Sequence, residues 1–239
     1  MSSIVLLHGA FRGGWCWRDV VPLLEAAGHD VHAPTLTGSE PGLAPADRPA
    51  VSLRTWADDV QRLMSAADLR DVVLVGHSQG GVVALATAGV DSRRVGRLVL
   101  LDAPVPAYGQ SAADVLPADL RTAWGPPPAP EAWLDPRPVG GPEWAGRDEL
   151  AAWVNERLTP NPARPGYDPL ELLDPAAASL PRTYLFCSRT PAMFPPTVSR
   201  AALEAAGVPI TVVEGAHDLP LLDPRGCAQA LLAAVGSTA

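Results

Sequence analysis

Short apolar runs that alternate with helical patterns constrain the fold of this 239-residue chain more than any other feature. Several of the runs are apolar on both faces, as strands of a parallel sheet are when helices cover both sides. Strands that alternate with helices form right-handed crossovers. The sequence therefore predicts an α/β fold with a doubly wound, mostly parallel sheet of about six strands. The runs are residues 4–7, 30–33, 72–75, 98–101, 183–187 and 210–213.

Helical patterns fill the spaces between these runs. Apolar residues recur at helical spacing from Trp17 to Leu24, and Gly28 is expected to end that helix. A second amphipathic helix is predicted behind Ser52, which is a suitable N-cap. Residues 80–89 are apolar all round, which predicts a buried helix.

Residues 104–181 break this alternation. They hold many of the 27 prolines and four of the seven tryptophans, with helical patterns near 111–124 and 147–158. We predict an α/β core of residues 1–103 and 182–239 and a lid (cap) insertion of residues 104–181 after the fourth run. Open α/β sheets bind ligands beyond the carboxyl ends of their strands, which such a lid would cover. A surface insertion without a role in binding is the alternative.

Charge and composition exclude several classes of function. The net charge of −8 and the lack of a basic run predict that the protein binds neither nucleic acid nor a membrane. All eighteen basic residues are arginine, so chemistry that needs a lysine is excluded. Cys16, Cys187 and Cys227 are scattered, which predicts free thiols and no metal site. With no leader-like or membrane-length segment, we expect a cytoplasmic protein.

The segment Gly76-His77-Ser78-Gln79-Gly80 lies between the third run and the apolar helix. The pattern G-x-S-x-G between a strand and a helix is typical of a nucleophile elbow, a sharp turn that exposes a serine. Amides at the start of the helix would stabilise negative charge on a substrate oxygen. We predict Ser78 as the nucleophile and a packing role for His77. The alternative is a glycine-rich turn whose serine caps the helix.

The chain resembles proteins of the α/β-hydrolase fold. Its opening, LLHGAFRGGWCWRDVVPLLEAAGHDV, is similar to that of the subgroup of plant methyl-ester esterases and hydroxynitrile lyases with their bacterial relatives. The likeness covers essentially the whole chain outside the insertion. It implies that the backbone amides of Ala10 and Gln79 form an oxyanion hole, with Phe11 as the second choice for Ala10. It also implies that His217 is the base, in agreement with the chain order of serine before histidine.

The acid of a catalytic triad is missing from its usual place. In the proteins that this chain resembles, the acid follows the fifth run, where residues 188–190 read Ser-Arg-Thr. Asp102 ends the fourth run, which lies beside the nucleophile strand if the strand order is 2-1-3-4-5-6. Some α/β-hydrolases carry their acid there, so we predict Asp102 as the acid that orients His217. A turn-capping role for Asp102 is the alternative.

Several other residues are candidates for substrate binding. Tyr108 and Trp124 in the insertion could line an apolar pocket, although packing within the insertion explains them equally well. Arg12 and Arg189 could hold a substrate carboxylate, but the sequence favours solvated surface charge as the interpretation for both. The side chain of Asp218 is expected to point away from the neighbouring imidazole.

The sequence thus predicts an enzyme: a serine hydrolase that cleaves a carboxylic ester or related acyl compound. We expect a small, largely apolar substrate and no metal or organic cofactor. The main alternative is a lyase or cyclase of specialised (natural-product) metabolism that uses Ser78 and His217 as a general acid/base pair without an acyl-enzyme. The altered loop after the fifth run favours that alternative. A non-catalytic ligand-binding protein is a third possibility, and both a monomer and a homodimer fit the sequence.

Overall fold

A six-stranded parallel sheet forms the centre of the protein. The computed structural model describes residues 1–236 except 125, 127, 130 and 193, and omits the side chains of residues 45, 120, 123 and 124. The strands are β1 (Ser3–Leu7), β2 (Asp30–His32), β3 (Val72–His77), β4 (Val95–Leu101), β5 (Trp133–Leu134), β6 (Asn161–Pro162), β7 (Arg182–Cys187) and β8 (Thr211–Val213). The main sheet has the order β2-β1-β3-β4-β7-β8, and β5 and β6 form a separate antiparallel pair. The predicted fold class and strand order are confirmed.

Helices connect the strands in the predicted alternation. They are α1 (Val21–Ala26), α2 (Leu53–Ala66), α3 (Gln79–Val90), α4 (Ala118–Trp124), α5 (Asp148–Asn155), α6 (Pro195–Ala205), α7 (Leu219–Leu222) and α8 (Pro224–Gly236). Short 3₁₀ helices occupy Gly14–Trp17, Pro45–Asp47, Ala112–Val115, Pro142–Trp144, Arg164–Gly166 and Pro175–Ser179. No helix in the described part of the chain is long and apolar enough to cross a membrane.

The ends of two helices test the sequence rules directly. Ser52 caps α2 as predicted, because its hydroxyl accepts a hydrogen bond from the amide of Thr55 at 3.1 Å. The prediction of one helix starting at Trp17 is wrong, since Trp17 ends a 3₁₀ helix and α1 begins at Val21. Pro22 explains the break: its ring would collide with the carbonyl four residues earlier in a continuous helix, but it fits a first turn.

The sheet separates two apolar layers. Val5 and Leu7 of β1 face the layer that contains α2 and α3, whereas Ile4 and Leu6 face the layer that contains α1 and α8. Successive strand residues point to opposite sides, so a strand that is buried on both faces is apolar throughout. All three cysteines are free, as the sequence predicts, and the structure shows that all three are buried.

Residues 104–181, the insertion segment, connect β4 to β7. The segment contains α4 and α5 where the sequence predicts helical stretches. Trp144 and Val154 pack into the layer beside α1 and α8. The guanidinium group of Arg18, which lies outside the segment, is 3.8 Å from the centre of the Trp153 ring. These contacts join the segment to the rest of the fold, while its role as a lid remains a prediction.

Candidate active site

Ser78 lies in the sharp turn between β3 and α3. Its backbone has φ 54° and ψ −127°, a conformation that a residue with a side chain seldom adopts. A side chain at Gly76 would collide with the backbone of Gly80, and one at Gly80 would collide with the carbonyl of Leu7. The elbow therefore requires glycine on both sides of Ser78, which is the physical basis of the G-x-S-x-G pattern here.

The loop after β1 lies against Ser78. A Cβ atom on Gly9 would be 2.9 Å from the Cβ of Ser78, so a larger residue would displace the serine. Phe11, with φ 62°, is bound on both sides by the insertion segment. Its amide donates to Oδ1 of Asn161 at 3.3 Å, and its carbonyl accepts from the amide of Thr159 at 3.2 Å. These two bonds fix the loop beside the serine.

The amides of this region differ in their availability. Within the described residues, the amides of Ala10 and Gln79 have no hydrogen-bond acceptor, whereas that of Phe11 is bound to Asn161. A substrate oxygen near Ser78 needs free donors, so this difference favours Ala10 over Phe11 as the partner of Gln79.

His217 connects the serine to a carboxylate. It lies in the loop between β8 and α7, with its side chain 19% exposed. Nε2 is 3.1 Å from Oγ of Ser78, and Nδ1 is 2.5 Å from Oδ2 of Asp102. Three residues that are far apart in the sequence therefore form one hydrogen-bonded chain at the carboxyl ends of β3, β4 and β8.

Asp102 is buried directly after β4 and has φ 44°. The amide of Cys187 donates to Oδ1 at 2.9 Å, and the hydroxyl of Thr190 donates to Oδ2 at 2.6 Å. The backbone amide of Asp102 donates to the carbonyl of Leu185 at 2.7 Å. Burial alone would raise the pKa of Asp102, but the hydrogen bonds and the charge of His217 lower it below its usual value. The carboxylate is therefore charged at neutral pH and can orient the imidazole.

Two buried histidines support the loops of the site. Nε2 of His77 donates to the carbonyl of His217 at 2.8 Å, and Nε2 of His8 accepts from the amide of Leu36 at 3.2 Å. The Nδ1 proton of His8 then points to the carbonyl of Gly9, 2.9 Å away. Burial is the largest cause that lowers the pKa of each ring to about 4. Both rings are therefore neutral, and His77 has the packing and hydrogen-bonding role that its sequence position predicts.

Strained backbone is concentrated at this site. Phe11, Ser78 and Asp102 are three of the five non-glycine residues with positive φ in the described part of the chain. Such conformations cost of order 1–3 kcal/mol each and persist only where the surroundings impose them. Their clustering marks this edge of the sheet as a functional site.

Tyr108, one of the predicted substrate-binding residues, lies away from this site. Tyr108 lies beside Gly89 near the end of α3, about 16 Å along the helix from Ser78 at the usual rise per residue. Its half-buried ring packs against the core layer instead of lining a cavity next to the serine. The side chain of Trp124 lies outside the described residues.

The two candidate arginines have different surroundings. Arg189 is 61% exposed and pairs with Glu214, so its charge is already neutralised at the surface. The surface assignment of Arg12 is wrong, because its side chain is only 12% exposed and pairs with Asp218. Asp218 contacts Arg12 and not the imidazole, as expected.

The sequence assigns no role to three residues that lie at the site: Thr190, Asn161 and Phe194. Thr190 carries a signal in hindsight, since it occupies the place where the acid was expected. The contact of Asn161 with Phe11 spans 150 positions in the chain and leaves no local pattern. Phe194 is 40% exposed, and its ring centre lies 5.3 Å from that of His217.

No metal centre is apparent in the described part of the chain. Among these residues, no three His, Cys, Asp or Glu side chains are arranged so that they could hold a metal ion. What the site offers is a strained serine, a histidine bonded to a buried carboxylate, and two free amides. Serine hydrolases use groups of this kind for catalysis.

Comparison with known proteins agrees with this class. Residues 4–230 match the alpha/beta hydrolase family, and the chain belongs to that family. A carbendazim hydrolyzing esterase from Nocardioides sp. (strain SG-4G) is 34% identical over 203 residues, which are 77% of this chain and 79% of that protein. The protein is thus an esterase-like serine hydrolase.

Two further matches extend the comparison. The crystal structure of a pyrethroid hydrolase from Sphingobium faniae JZ-2 superposes with a TM-score of 0.75 at 25% identity, covering 97% of this chain and 96% of that one. An alpha-hydroxynitrile lyase from Arabidopsis thaliana is 36% identical over 106 residues, which are 43% of this chain and 40% of that protein. The resemblance stated from the sequence is confirmed.

Proposed function

We propose that this enzyme hydrolyses a carboxylic ester of a small, largely apolar molecule through an acyl-enzyme on Ser78. The observation that carries the proposal is the continuous chain from Oγ of Ser78 through both ring nitrogens of His217 to Asp102. A serine hydroxyl is a weak nucleophile at neutral pH, so it needs a base at hydrogen-bond distance. His217 is that base, and Asp102 is the carboxylate that orients it.

In the acylation step, Oγ of Ser78 attacks the ester carbonyl carbon while Nε2 of His217 takes the hydroxyl proton. The carbonyl oxygen becomes an oxyanion, which accepts hydrogen bonds from the amides of Ala10 and Gln79. Asp102 stabilises the imidazolium. When the carbon–oxygen bond to the alcohol breaks, His217 returns the proton to the leaving oxygen, and the acyl group stays on Ser78.

Deacylation repeats these steps with water. His217 takes a proton from a water molecule whose oxygen attacks the acyl carbon, and a second oxyanion forms between the same amides. The carbon–oxygen bond to Ser78 then breaks, and Ser78 regains its proton from His217. The products are one alcohol and one carboxylic acid, with no redox change and no net use of the histidine.

Phe194 supports an apolar substrate. Its ring packs edge-on against His217 and is 40% exposed, so it presents apolar surface beside the reacting atoms. An acyl or alcohol group that covers this ring would remove apolar surface from water, which favours binding by about 25 cal/mol for each Å².

Covalent labelling tests the proposal. Incubation with a fluorophosphonate should add one phosphonyl group to Ser78, detected by intact mass and peptide mapping, and Ser78→Ala should remain unlabelled. The wild type should also hydrolyse p-nitrophenyl acetate, and Ser78→Ala should lose that activity. An unlabelled wild type, or a Ser78→Ala variant that hydrolyses the ester as fast as wild type, would refute the proposal.

Lyase chemistry is the second candidate because an alpha-hydroxynitrile lyase is among the relatives. The altered loop after β7 favoured this alternative, but Asp102 lies within hydrogen-bond distance of His217 and removes that reason. The two reactions differ in their intermediates, since a lyase needs no acyl-enzyme. Cleavage of mandelonitrile to benzaldehyde, with no hydrolysis of p-nitrophenyl acetate, would favour the lyase.

A further inference from the structure

An ion pair joins the two loops that carry the oxyanion amide and the base. Arg12 belongs to the loop of Gly9 and Ala10, and Asp218 directly follows His217 in the chain. Nη2 of Arg12 lies 2.9 and 3.1 Å from the two carboxylate oxygens of Asp218. Their side chains are only 12% and 16% exposed. In the described part of the chain, no other arginine–carboxylate pair has both partners below one-fifth exposure.

Stability alone is a poor reason for this pair. Removing two charges from water costs free energy, and a buried ion pair can often be replaced by uncharged residues without loss of stability. Asp218 also gives up another role, because it precedes α7 and its carboxylate caps none of the helix amides. Because the carboxylate of Asp218 binds buried Arg12 instead of the helix amides, we look for the role of this pair at the site.

The two charges face different parts of the site. Arg12 lies two residues after Ala10 in the oxyanion loop. Burial lowers the pKa of His8 at the start of the same loop, and the charge of Arg12 lowers it further. Burial would raise the pKa of Asp218, but the charges of Arg12, His217 and His77 lower it. The positive charge therefore belongs to the loop of Ala10, and the negative charge belongs to the residue that follows His217, with its carboxylate directed at Arg12.

We propose that Arg12 and Asp218 are a positioning pair whose fixed dipole stabilises the charge separation of the hydrolytic transition state. This inference rests on the proposed function. As Ser78 attacks, negative charge develops on the substrate oxygen and positive charge develops on His217. A dipole already aligned with these charges needs no reorganisation during the reaction. The dipole acts on charges that are present in the transition state and absent from the bound uncharged ester. It therefore affects kcat and leaves KM nearly unchanged.

Three variants separate the dipole from the mechanical link between the loops. The double variant Arg12→Met/Asp218→Asn removes both charges with little change in volume. The exchanged variant Arg12→Asp/Asp218→Arg keeps an ion pair and reverses its direction. Arg94→Met/Asp68→Asn is the matched control, because that Arg–Asp pair lies before β3 and β4 at the opposite edge of the sheet. The readouts are kcat and KM for p-nitrophenyl acetate, per Ser78 that a fluorophosphonate can label.

We expect kcat to fall about 10-fold in the uncharged variant and about 100-fold in the exchanged variant. The loss in the uncharged variant is smaller than that for a direct oxyanion donor, because the pair does not touch the reacting atoms. KM should stay within about twofold, and the control should match the wild type. A kcat within twofold of wild type in the uncharged or the exchanged variant would overturn the inference. Failure of the proposed function looks different, because the wild type itself would then be neither labelled nor active.

Conservative variants keep the inference testable if a double variant does not fold. Arg12→Lys retains the charge, and it should keep kcat within about threefold of wild type. Arg12→Met should lose about 10-fold under the same conditions. Equal kcat values for these two single variants, measured per labelled Ser78, would overturn the inference.

Discussion

The loops after β4 and β7 lie side by side and contribute differently to one carboxylate group. The first supplies Asp102 itself, buried and with strained backbone. The second supplies the hydroxyl of Thr190, which donates to Asp102 from the place where the acid was expected. The β4–β7 pairing that brings Leu101 next to Leu185 makes this possible. In this chain the carboxylate that bonds to His217 therefore follows β4, and the loop after β7 contributes a hydroxyl group that bonds to it.

Removing the carboxylate of Asp102 should have the largest effect. In Asp102→Asn we expect kcat for p-nitrophenyl acetate to fall by about 10⁴, the loss seen in serine triads when the histidine is no longer oriented. Steady-state kinetics measure this loss, with fluorophosphonate labelling to count active sites. A rate within a few-fold of wild type would show that the two loops do not share an acid.

Moving the acid to the other loop should restore part of that loss. In Asp102→Asn/Thr190→Asp a carboxylate replaces the hydroxyl that lies 2.6 Å from Oδ2 of Asp102. We expect kcat to rise about 10- to 100-fold above that of Asp102→Asn, because the imidazolium regains a nearby anion. The control is Thr190→Asp alone, where two adjacent carboxylates repel each other and the rate should fall. No gain in the double variant would mean that the β7 loop cannot present an acid to His217.

Removing the hydroxyl of Thr190 should have a smaller effect. A hydrogen bond to a charged group contributes about 1.5–3 kcal/mol, so Thr190→Val should lower kcat about 10- to 150-fold. Thr190→Ser keeps the hydroxyl and should stay near wild type. The neighbouring Arg189→Ala is a matched control, since this exposed residue pairs with Glu214 and not with Asp102. Equal rates for the valine and serine variants would exclude a contribution from this bond.

Acid pH should reveal the same contacts as a change in stability. The pKa of Asp102 is lower in the folded state than in the unfolded state. The charged carboxylate therefore stabilises the fold at pH values above the unfolded-state pKa. This contribution is complete above about pH 4 and is lost as the pH falls through the folded-state pKa. Urea unfolding of wild type and Asp102→Asn should therefore differ most near neutral pH and converge in acid. A difference that stays constant down to pH 3 would contradict the lowered pKa.

The sequence predicts those features of the site that local rules determine. The glycines around Ser78 follow from backbone contacts near one turn, and the parallel sheet follows from strands that alternate with helices. Asp102 could be predicted as the acid because strand order makes the carboxyl ends of β3 and β4 neighbours.

Contacts between distant segments could not be predicted. Arg12 was assigned to the surface because nothing near it in the sequence indicates Asp218, which lies 206 positions away. Tyr108 and Arg189 are candidates for substrate binding because of their residue types alone. Residue type does not give their positions in the fold. Asn161 has no role in any local pattern, yet its side chain binds the amide of Phe11.

The bonds from Thr159 and Asn161 to Phe11 bear on how such an enzyme can be re-engineered. A chimaera that exchanges residues 104–181 for the matching stretch of a relative would also remove two supports of the loop beside Ser78. Such an exchange would alter turnover as well as substrate range. An exchanged segment would therefore have to keep a hydrogen-bond donor and an acceptor for Phe11 at the positions of Thr159 and Asn161.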